Sequence, residues 1–402
     1  MATQAQAQPQ SQQPVHPSQA QGAQIPLQSF TLPNFPPEAR GLKALTLTSD
    51  IKLDDYTSLL SDYATIPPLP PSIESLTLEL FSLGYPPGFL GGLSQNLPNI
   101  KSLVVYSQLF GGISKESEKD GVRFFENLKG LRALHFLDVF AKPHFFDAVG
   151  EVLRSYTSDS SDRKSLMFLE INYSFRHEDE EFLPRIQATE LPALIGPGLI
   201  TCSLNISSPD VTDDPDDPTN LRAEGEEAGN GGTGSKEGIM AFNKTLATHV
   251  VMALTQPATA PTALRVLNTT LYTFSLNDLK KVLEVQKKLS VLSCTVEIEP
   301  TEACKNDLLG ALESCPDLEQ VEIVGNPSLQ FYMAVSNPTH RSPTFARTFP
   351  SKEDMAALSK KCPKLDSFKA TVLKTISMGA VEWTKGEDGE WKGGVVDGTE
   401  KQ

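Results

Sequence analysis

The sequence predicts an α/β solenoid, in which short strands stack into one long parallel sheet and helices cover its outer face. A loosened Leu-x-x-Leu-x-Leu phrase returns about every thirty residues between residues 42 and 373. Each phrase alternates apolar and polar residues, which is strand periodicity. Stretches with helical apolar spacing lie between the phrases. Strand alternating with helix at this period indicates a stacked repeat array.

The repeat phrases differ in quality along the chain. The first two are the clearest, with anchors at Leu42, Leu45 and Leu47 and then at Ile73, Leu76 and Leu78. The sixth phrase, at residues 204–206, is the poorest. The other phrases lie at residues 97–105, 128–136, 166–171, 264–267, 289–292, 315–323 and 362–368. We therefore expect about nine or ten irregular units.

The predicted helices fill the intervals between these strands. The strongest spans 143–156, where Phe146, Val149 and either Val152 or Leu153 fall on one face. Another, at 275–289, begins with Ser275 as a predicted N-cap and Asp278 in its first turn. Further helices are predicted at 54–63, 240–254, 302–312 and 352–361.

Composition divides the chain into an array and three biased segments. Residues 1–36 are rich in Gln, Ala and Pro and are expected to be disordered. Residues 37–385 form the array. Within it, residues 208–238 hold nine acids and two bases, and nine minus two gives a net charge of about −7. We expect this acidic insertion to be disordered, residues 325–350 to be a milder insertion, and residues 386–402 to be a flexible tail.

Charge and cysteine content restrict the partners and the compartment. The net charge of −15 argues against nucleic-acid binding, because no basic field is present to displace counterions, but it allows a basic protein partner. No apolar run is long enough to span a membrane, and the start lacks the features of a secretory signal. The five cysteines form no C-x-x-C pair. We expect reduced thiols in a cytoplasmic or nuclear monomer.

Two cysteine-containing phrases carry a family resemblance. Cys-Pro-x-Leu-x-x-Val-x-Ile at 315–323 returns as Cys-Pro-x-Leu-x-x-Phe at 362–368. Both phrases resemble the repeats of degenerate, ribonuclease-inhibitor-like leucine-rich-repeat proteins, as found in arrays of fungal F-box-type proteins. The resemblance covers about residues 40–375 and implies a protein-binding array, with a ubiquitin-ligase substrate receptor as an alternative. No F-box is recognisable at 31–42, where only an LP and a PPE echo its opening.

The chain also departs from that pattern at a turn position. Family repeats often place Asn or Cys five residues after the second Leu, where the side chain bonds turn backbone. Only Asn326 conforms here, and the irregularity predicts weakened turn bonding. The departing residues are Asp50, Phe81, Gln108, Val139, Ser174, Tyr272, Glu297 and Leu373.

No motif in the sequence predicts catalysis, a metal or a cofactor. The glycine-rich segment 229–236 lacks the Gly-Lys-Ser/Thr order of a phosphate-binding loop, and the carboxylate run 177–181 reads as a solvated segment. The six histidines show no ligand spacing with one another or with the cysteines. Cys315 and Cys362 are interpreted as core residues beneath a turn, and His249 as a partly buried histidine. A hydrolase or transferase remains an alternative that a pocket of converging histidine and carboxylate groups would support.

The candidate functional residues follow from strand geometry. In x-Leu-x-Leu-x the leucines point inward, and the x positions line the open, concave face. Aromatic and polar side chains concentrate in the middle of that face, a composition typical of binding hot spots. The alternative interpretation is a generic sheet face without a binding function, on which aromatic residues occur because they favour strands. A further alternative is docking through the acidic insertion. The predicted partner-binding residues are Tyr106, His135, Leu137, Phe168, Glu170 and Asn172.

Overall fold

The computed structural model describes residues 22–155, 164–174, 185–207, 247–372 and 379–397. In these ranges thirteen strands form one sheet, and the strands follow one another across it in sequence order. Neighbouring strands pair in parallel up to β11, and the last two strands are antiparallel. The strands are β1 Gly22–Leu27, β2 Ala44–Ser49, β3 Ser75–Glu79, β4 Ser102–Leu109, β5 Ala133–Phe140, β6 Phe168–Ser174, β7 Thr201–Ser207, β8 Val266–Phe274, β9 Val291–Ile298, β10 Gln320–Pro327, β11 Ser367–Val372, β12 Gly379–Lys385 and β13 Trp391–Asp397.

Helices follow the strands and form the second layer. Neighbouring helices pack side by side, and a 3-10 helix at Leu191–Leu194 lies between α4 and α5. A second 3-10 helix, Pro37–Gly41, precedes β2. The α-helices are α1 Leu53–Leu59, α2 Phe89–Asn96, α3 Lys115–Asn127, α4 Phe145–Arg154, α5 Ala247–Thr255, α6 Leu276–Val285, α7 Glu302–Leu312, α8 Leu329–Ser336, α9 Pro338–Thr348 and α10 Lys352–Leu358.

The predicted α/β class and the long, mostly parallel sheet are confirmed. Each predicted phrase forms a strand, and the linear strand order is that of an open, repeat-like array. The alternation is as predicted in β2, where Leu45 and Leu47 are fully buried and the alternate residues Ala44, Thr46 and Thr48 are partly exposed. Among the described residues, none of the helices has both the length and the apolar character that crossing a membrane requires.

The core of the first half is built from aromatic rings. Phe110 is at its centre, with ring centroids 5.7 to 6.1 Å from those of five neighbouring aromatic residues. Phe30 extends this cluster towards β1 by packing on Tyr56 and Phe89. Rings in such contact contribute packing energy beyond their buried area. The core of the second half is richer in Leu, Val and Cys and has a smaller ring cluster of Phe331, Phe345 and Phe349.

The cysteine prediction is confirmed in its geometry. Cys315 and Cys362 are fully buried, and each thiol lies against carbonyl oxygens of the preceding unit. The Sγ of Cys315 is 3.4 Å from the oxygen of Gln286, and that of Cys362 is 3.5 Å from the oxygen of Leu312. Burial raises the pKa of both thiols to about 11. They are core residues that also satisfy helix-end carbonyls.

The predicted boundary of the N-terminal tail is wrong, because β1 lies inside residues 1–36. Its Ala23 and Ile25 pair in register with Leu45 and Leu47 of β2, and Leu27 is buried. A composition average hides this short apolar alternation within a Gln- and Pro-rich segment. Pro26 is tolerated because β1 is an edge strand.

The tail predicted at 386–402 is also corrected, since β13 closes the sheet there. Trp391 is buried, and its indole N–H donates to the hydroxyl of Ser359 at 2.8 Å. Gly393 is required by close approach, because a Cβ on it would lie 2.0 Å from the carbonyl oxygen of Glu382. The glycines that suggested a frayed tail are therefore part of a packed hairpin. It covers the last unit, as terminal repeats must.

The two predicted insertions have different outcomes. The segment 325–350 is not an irregular insertion, because it forms α8 and α9, capped by the side chains of Ser328 and Asn337. The acidic insertion 208–238 lies outside the described residues, as do the segments 177–181 and 229–236.

The expectation of weakened turn bonding is wrong at Gln108. Its side-chain amide donates to the carbonyl oxygens of Leu78 at 3.1 Å and Tyr106 at 3.2 Å, and its oxygen accepts from the hydroxyl of Tyr85. Tyrosine hydroxyls make similar contacts in other units, from Tyr173 to Val139 and from Tyr272 to Ala188. Longer side chains therefore reach turn backbone that Asn bonds in regular repeats.

Candidate functional site

The six predicted partner-binding residues lie together on three adjacent strands. The register places Tyr106 of β4 opposite Leu137 of β5, which lies opposite Asn172 of β6. One row away, His135 lies opposite Glu170, and a further row on, Phe168 lies beside Ala133. Because residues two apart along a strand share a face, all six point to the same side of the sheet. We call these six residues the central patch.

The polar centre of the patch is the pair of His135 and Glu170. The Nδ1 atom of His135 is 2.8 Å from Oε2 of Glu170, and the two side chains are 32% and 41% exposed. A pair this accessible contributes little to stability, about 0–1 kcal/mol. Its effect is to fix the imidazole orientation and to present a carboxylate edge to solvent.

Two aromatic rings flank this pair. Tyr106 is 36% exposed and Phe168 is 40% exposed, whereas aromatic residues of the opposite face such as Phe136 are fully buried. They stand on strands two apart and are offset by four residues in the register, so about 16 Å separates their backbones. Leu137, which lies beside Tyr106 in the register, is half-buried. An exposed aromatic pair around a polar centre matches the composition of interface hot spots.

Asn172 adds an unused acceptor at one edge of the patch. Its Oδ1 atom is buried and has no hydrogen-bond partner among the described residues. An amide oxygen in this condition costs free energy unless a donor reaches it.

The strand ends next to the patch have unusual backbone conformations. Leu80, Ser107 and Asp138 all have positive φ, at 62°, 45° and 52°, and occupy corresponding positions in three consecutive units. Such conformations are costly for residues other than glycine and turn the chain sharply. The Asp138 carboxylate accepts the backbone N–H of Ser174 at 2.6 Å across the next strand. The sequence offered no signal for this row, because Leu and Ser do not favour left-handed backbone.

On β7 and β9 the same face carries smaller and less exposed side chains. Ser203, Ser293 and Thr295 occupy the corresponding surface positions of β7 and β9 and are all at most 9% exposed. Asn205 accepts from the hydroxyl of Thr270 at 3.1 Å, so the polar groups there are satisfied within the sheet. Small side chains that are hydrogen-bonded within the sheet expose little surface for a partner to contact.

Two cavities lie away from the patch. One is lined mainly by α4 and the loop before β7, and the other by α2, α3 and the loop that follows α1. Neither is lined by a histidine. The second contains Asp120, whose carboxylate accepts the backbone N–H of Gly91 at 3.0 Å and so caps the start of α2.

Among the described residues, the fold brings together one group of side chains of the types that bind metals. His144, Asp147 and Glu190 offer ligand atoms that all lie within 4.8 Å of one another. The sequence predicted no metal site because Glu190 is 46 residues from His144, beyond any spacing motif. Only the packing of the Glu190 segment against the start of α4 reveals the group.

Comparison with known proteins adds little to these observations. No family model matches the chain, and no curated protein matches it. Among solved structures, the chain is similar to one from the crystal structure of the Rad7 and Elc1 complex in yeast, with 13% identity and a TM-score of 0.29. That similarity covers 81% of this chain and 75% of that chain. At this score it supports no conclusion about function, which has to come from the residues themselves.

Proposed function

We propose that this protein is a binding module that holds a protein partner on the concave face of its sheet, at the central patch. The observation that carries the proposal is the exposure of Tyr106 and Phe168 on either side of the His135–Glu170 pair. Exposed aromatics beside a hydrogen-bonded His–carboxylate pair give a partner both apolar area to bury and a polar group that fixes its register.

The chemistry of the patch favours a partner segment that carries a basic side chain beside an apolar one. Glu170 accepts charge-assisted hydrogen bonds from a guanidinium, and the rings of Tyr106 and Phe168 attract cations through their faces. The net charge of −15 would speed the encounter with a basic surface. An adaptor or scaffold role follows from such binding. The leucine-rich-repeat relationship of the array is part of this proposal and is supported by the strand order and the buried leucines.

The test compares two variants of equal chemical severity. The double variant Tyr106→Ala/Phe168→Glu removes both rings of the patch. The control variant Leu329→Glu/Met333→Ala changes two exposed apolar residues of α8, which are 74% and 67% exposed. Both proteins should retain their circular dichroism spectrum and melting temperature, because exposed substitutions usually change stability by less than about 0.5 kcal/mol.

Partners are then captured with each protein and quantified by mass spectrometry. We expect the patch variant to lose the partners that the wild type and the control variant share, and we expect that capture to weaken as salt is raised. A patch variant that retains every partner would contradict the proposal. Deleting 209–237 in parallel distinguishes docking through the acidic insertion, since loss in that deletion alone would move the site there.

A further inference from the structure

We propose that His144, Asp147 and Glu190 form a binding site for one divalent transition-metal ion, with Zn²⁺ as the best match. The three residues lie where α4 begins, at the strand-end edge of the sheet and apart from the central patch. Their ligand atoms are mutually within 4.8 Å, and the Nδ1 of His144 is 3.7 Å from Oδ2 of Asp147.

Glu190 is the observation that points to a cation. Glu190 is only 8% exposed, yet its Oε2 atom has no hydrogen-bond partner among the described residues. Its other oxygen, Oε1, accepts the backbone N–H of His144 at 2.7 Å, which fixes the carboxylate in place. No Lys or Arg of the described part of the chain forms an ion pair with it. A buried carboxylate oxygen without a donor or a cation is costly, and a metal ion would satisfy it.

The other two ligands complement this fixed group. His144 and Asp147 are 87% and 50% exposed at their side chains, so both can adjust to an ion. Ligands around a zinc ion lie about 3.4 Å apart, as four bonds of about 2.1 Å in a tetrahedron require. The separation of 3.7 Å between Nδ1 of His144 and Oδ2 of Asp147 is near that value, and both of these exposed side chains can move towards an ion. One imidazole and two carboxylates leave a fourth position for water, which is the open arrangement of three-ligand zinc sites.

The ligand set also separates zinc from the commoner hard cations. An imidazole nitrogen favours Zn²⁺ and related first-row ions, whereas Mg²⁺ and Ca²⁺ prefer sites made only of oxygen. The Glu190 carboxylate lies at the start of α4 and already interacts favourably with the helix dipole. That role accounts for Oε1, which caps the helix, and leaves Oε2 unexplained without a cation.

The experiment measures zinc bound to the full chain after removal of any affinity tag and treatment with a chelator. Equilibrium dialysis with metal analysis gives the stoichiometry, and titration calorimetry gives the affinity, with Mg²⁺ and Ca²⁺ as comparison ions. The variants are Glu190→Gln, Asp147→Asn and His144→Gly. Glycine suits position 144 because its φ is 71°, so the last change should not harm folding. His340→Ala is the matched control, since His340 is an exposed histidine in α9.

We expect the wild type and His340→Ala to bind one more zinc ion per chain than Glu190→Gln or His144→Gly. In Asp147→Asn we expect an affinity lower by about tenfold or more. Unchanged circular dichroism without metal establishes that each variant is folded. Equal zinc binding by the wild type and the Glu190→Gln and His144→Gly variants would overturn the site, as would a wild type that binds none. Equal affinity for Mg²⁺ and Zn²⁺ would overturn the assignment to a transition metal.

Discussion

The two halves of the sheet solve the same packing problem with different side chains. From β1 to β6 the core combines buried leucines with a connected cluster of aromatic rings around Phe110, and the open face of β4–β6 carries exposed aromatics. From β7 to β11 the core is mostly Leu, Val and Cys, and much of the open face is small and internally bonded. The comparison teaches that burial of the repeat residues is common to both halves, whereas the exposed aromatic side chains of the open face lie on β4–β6. Both proposed sites lie between β4 and the start of β7.

The largest expected effect comes from removing the centre of the aromatic cluster. Phe110→Ala should lower the free energy of unfolding by about 3–5 kcal/mol, because it leaves a cavity among five neighbouring rings. Urea titration measures the loss. Hydrogen exchange should accelerate in β4, β5 and α3 before β9 and β10, since stacked units couple mainly to their neighbours. Uniform acceleration over both halves would break the comparison.

A smaller effect is expected where one unit caps the helix of another. Asp120→Ala should cost about 1–3 kcal/mol, because the backbone N–H of Gly91 loses its acceptor within a packed helix pair. Gly91→Ala should also destabilise, since a Cβ there would lie 2.3 Å from Oδ1 of Asp120. The double variant should cost less than the sum of the two single changes, because removing the carboxylate removes the clash. Additive effects in thermal unfolding would contradict the contact.

The smallest effect concerns ion pairs at the strand starts of the two halves. Lys101 and Lys43 hold the pKa of Glu74 at about 2, below its ordinary 4.5, through contacts of 2.6 Å and 2.9 Å. A depressed pKa contributes stability above the unfolded-state value and loses it as pH falls towards the folded-state value. The difference in stability between the wild type and Glu74→Gln should therefore be largest at neutral pH and vanish between about pH 4.5 and pH 2.

Asp317 in the second half is the matched case, because Lys364 lies against it at 2.7 Å and lowers its pKa, with a smaller contribution from Arg265. Asp317→Asn should show a pH effect of the same sign but smaller size, since one lysine contacts the carboxylate instead of two. Acid titration of melting temperature compares the two variants. A larger effect at Asp317 would reverse the expected order of the halves.

Much of the fold could be predicted because its determinants are local. The alternation of Leu45 and Leu47 with polar residues marks β2 without any tertiary information. Helix α7 was predicted at its observed bounds, and its start is set by Thr301, whose hydroxyl accepts the N–H of Cys304. Helix α3 was not predicted, although its sequence carries the same kind of signal, since the Ser114 hydroxyl accepts the N–H of Ser117 at its start.

Other elements depend on contacts that no local pattern records. Helix α2 contains Gly91 and Gly92 and has poor helix propensity, yet it forms because Asp120 of the next unit caps it. Strand β13 was obscured by its glycines. The patch residues followed from the alternation rule, and strand register then places His135 beside Glu170. The approach of Glu190 to His144 depends on tertiary packing, so sequence spacing could not reveal it.

The central claim is that a partner contacts the patch, and site-specific photo-crosslinking tests it most directly. A photoreactive phenylalanine analogue placed at Phe168 should crosslink the partner, and the same analogue at Leu329 should not. The crosslink at Phe168 should disappear when an excess of unmodified wild-type protein competes for the partner, and should persist when the competitor is Tyr106→Ala/Phe168→Glu. Crosslinking at Leu329 but not at Phe168, or equal competition by both proteins, would contradict the account.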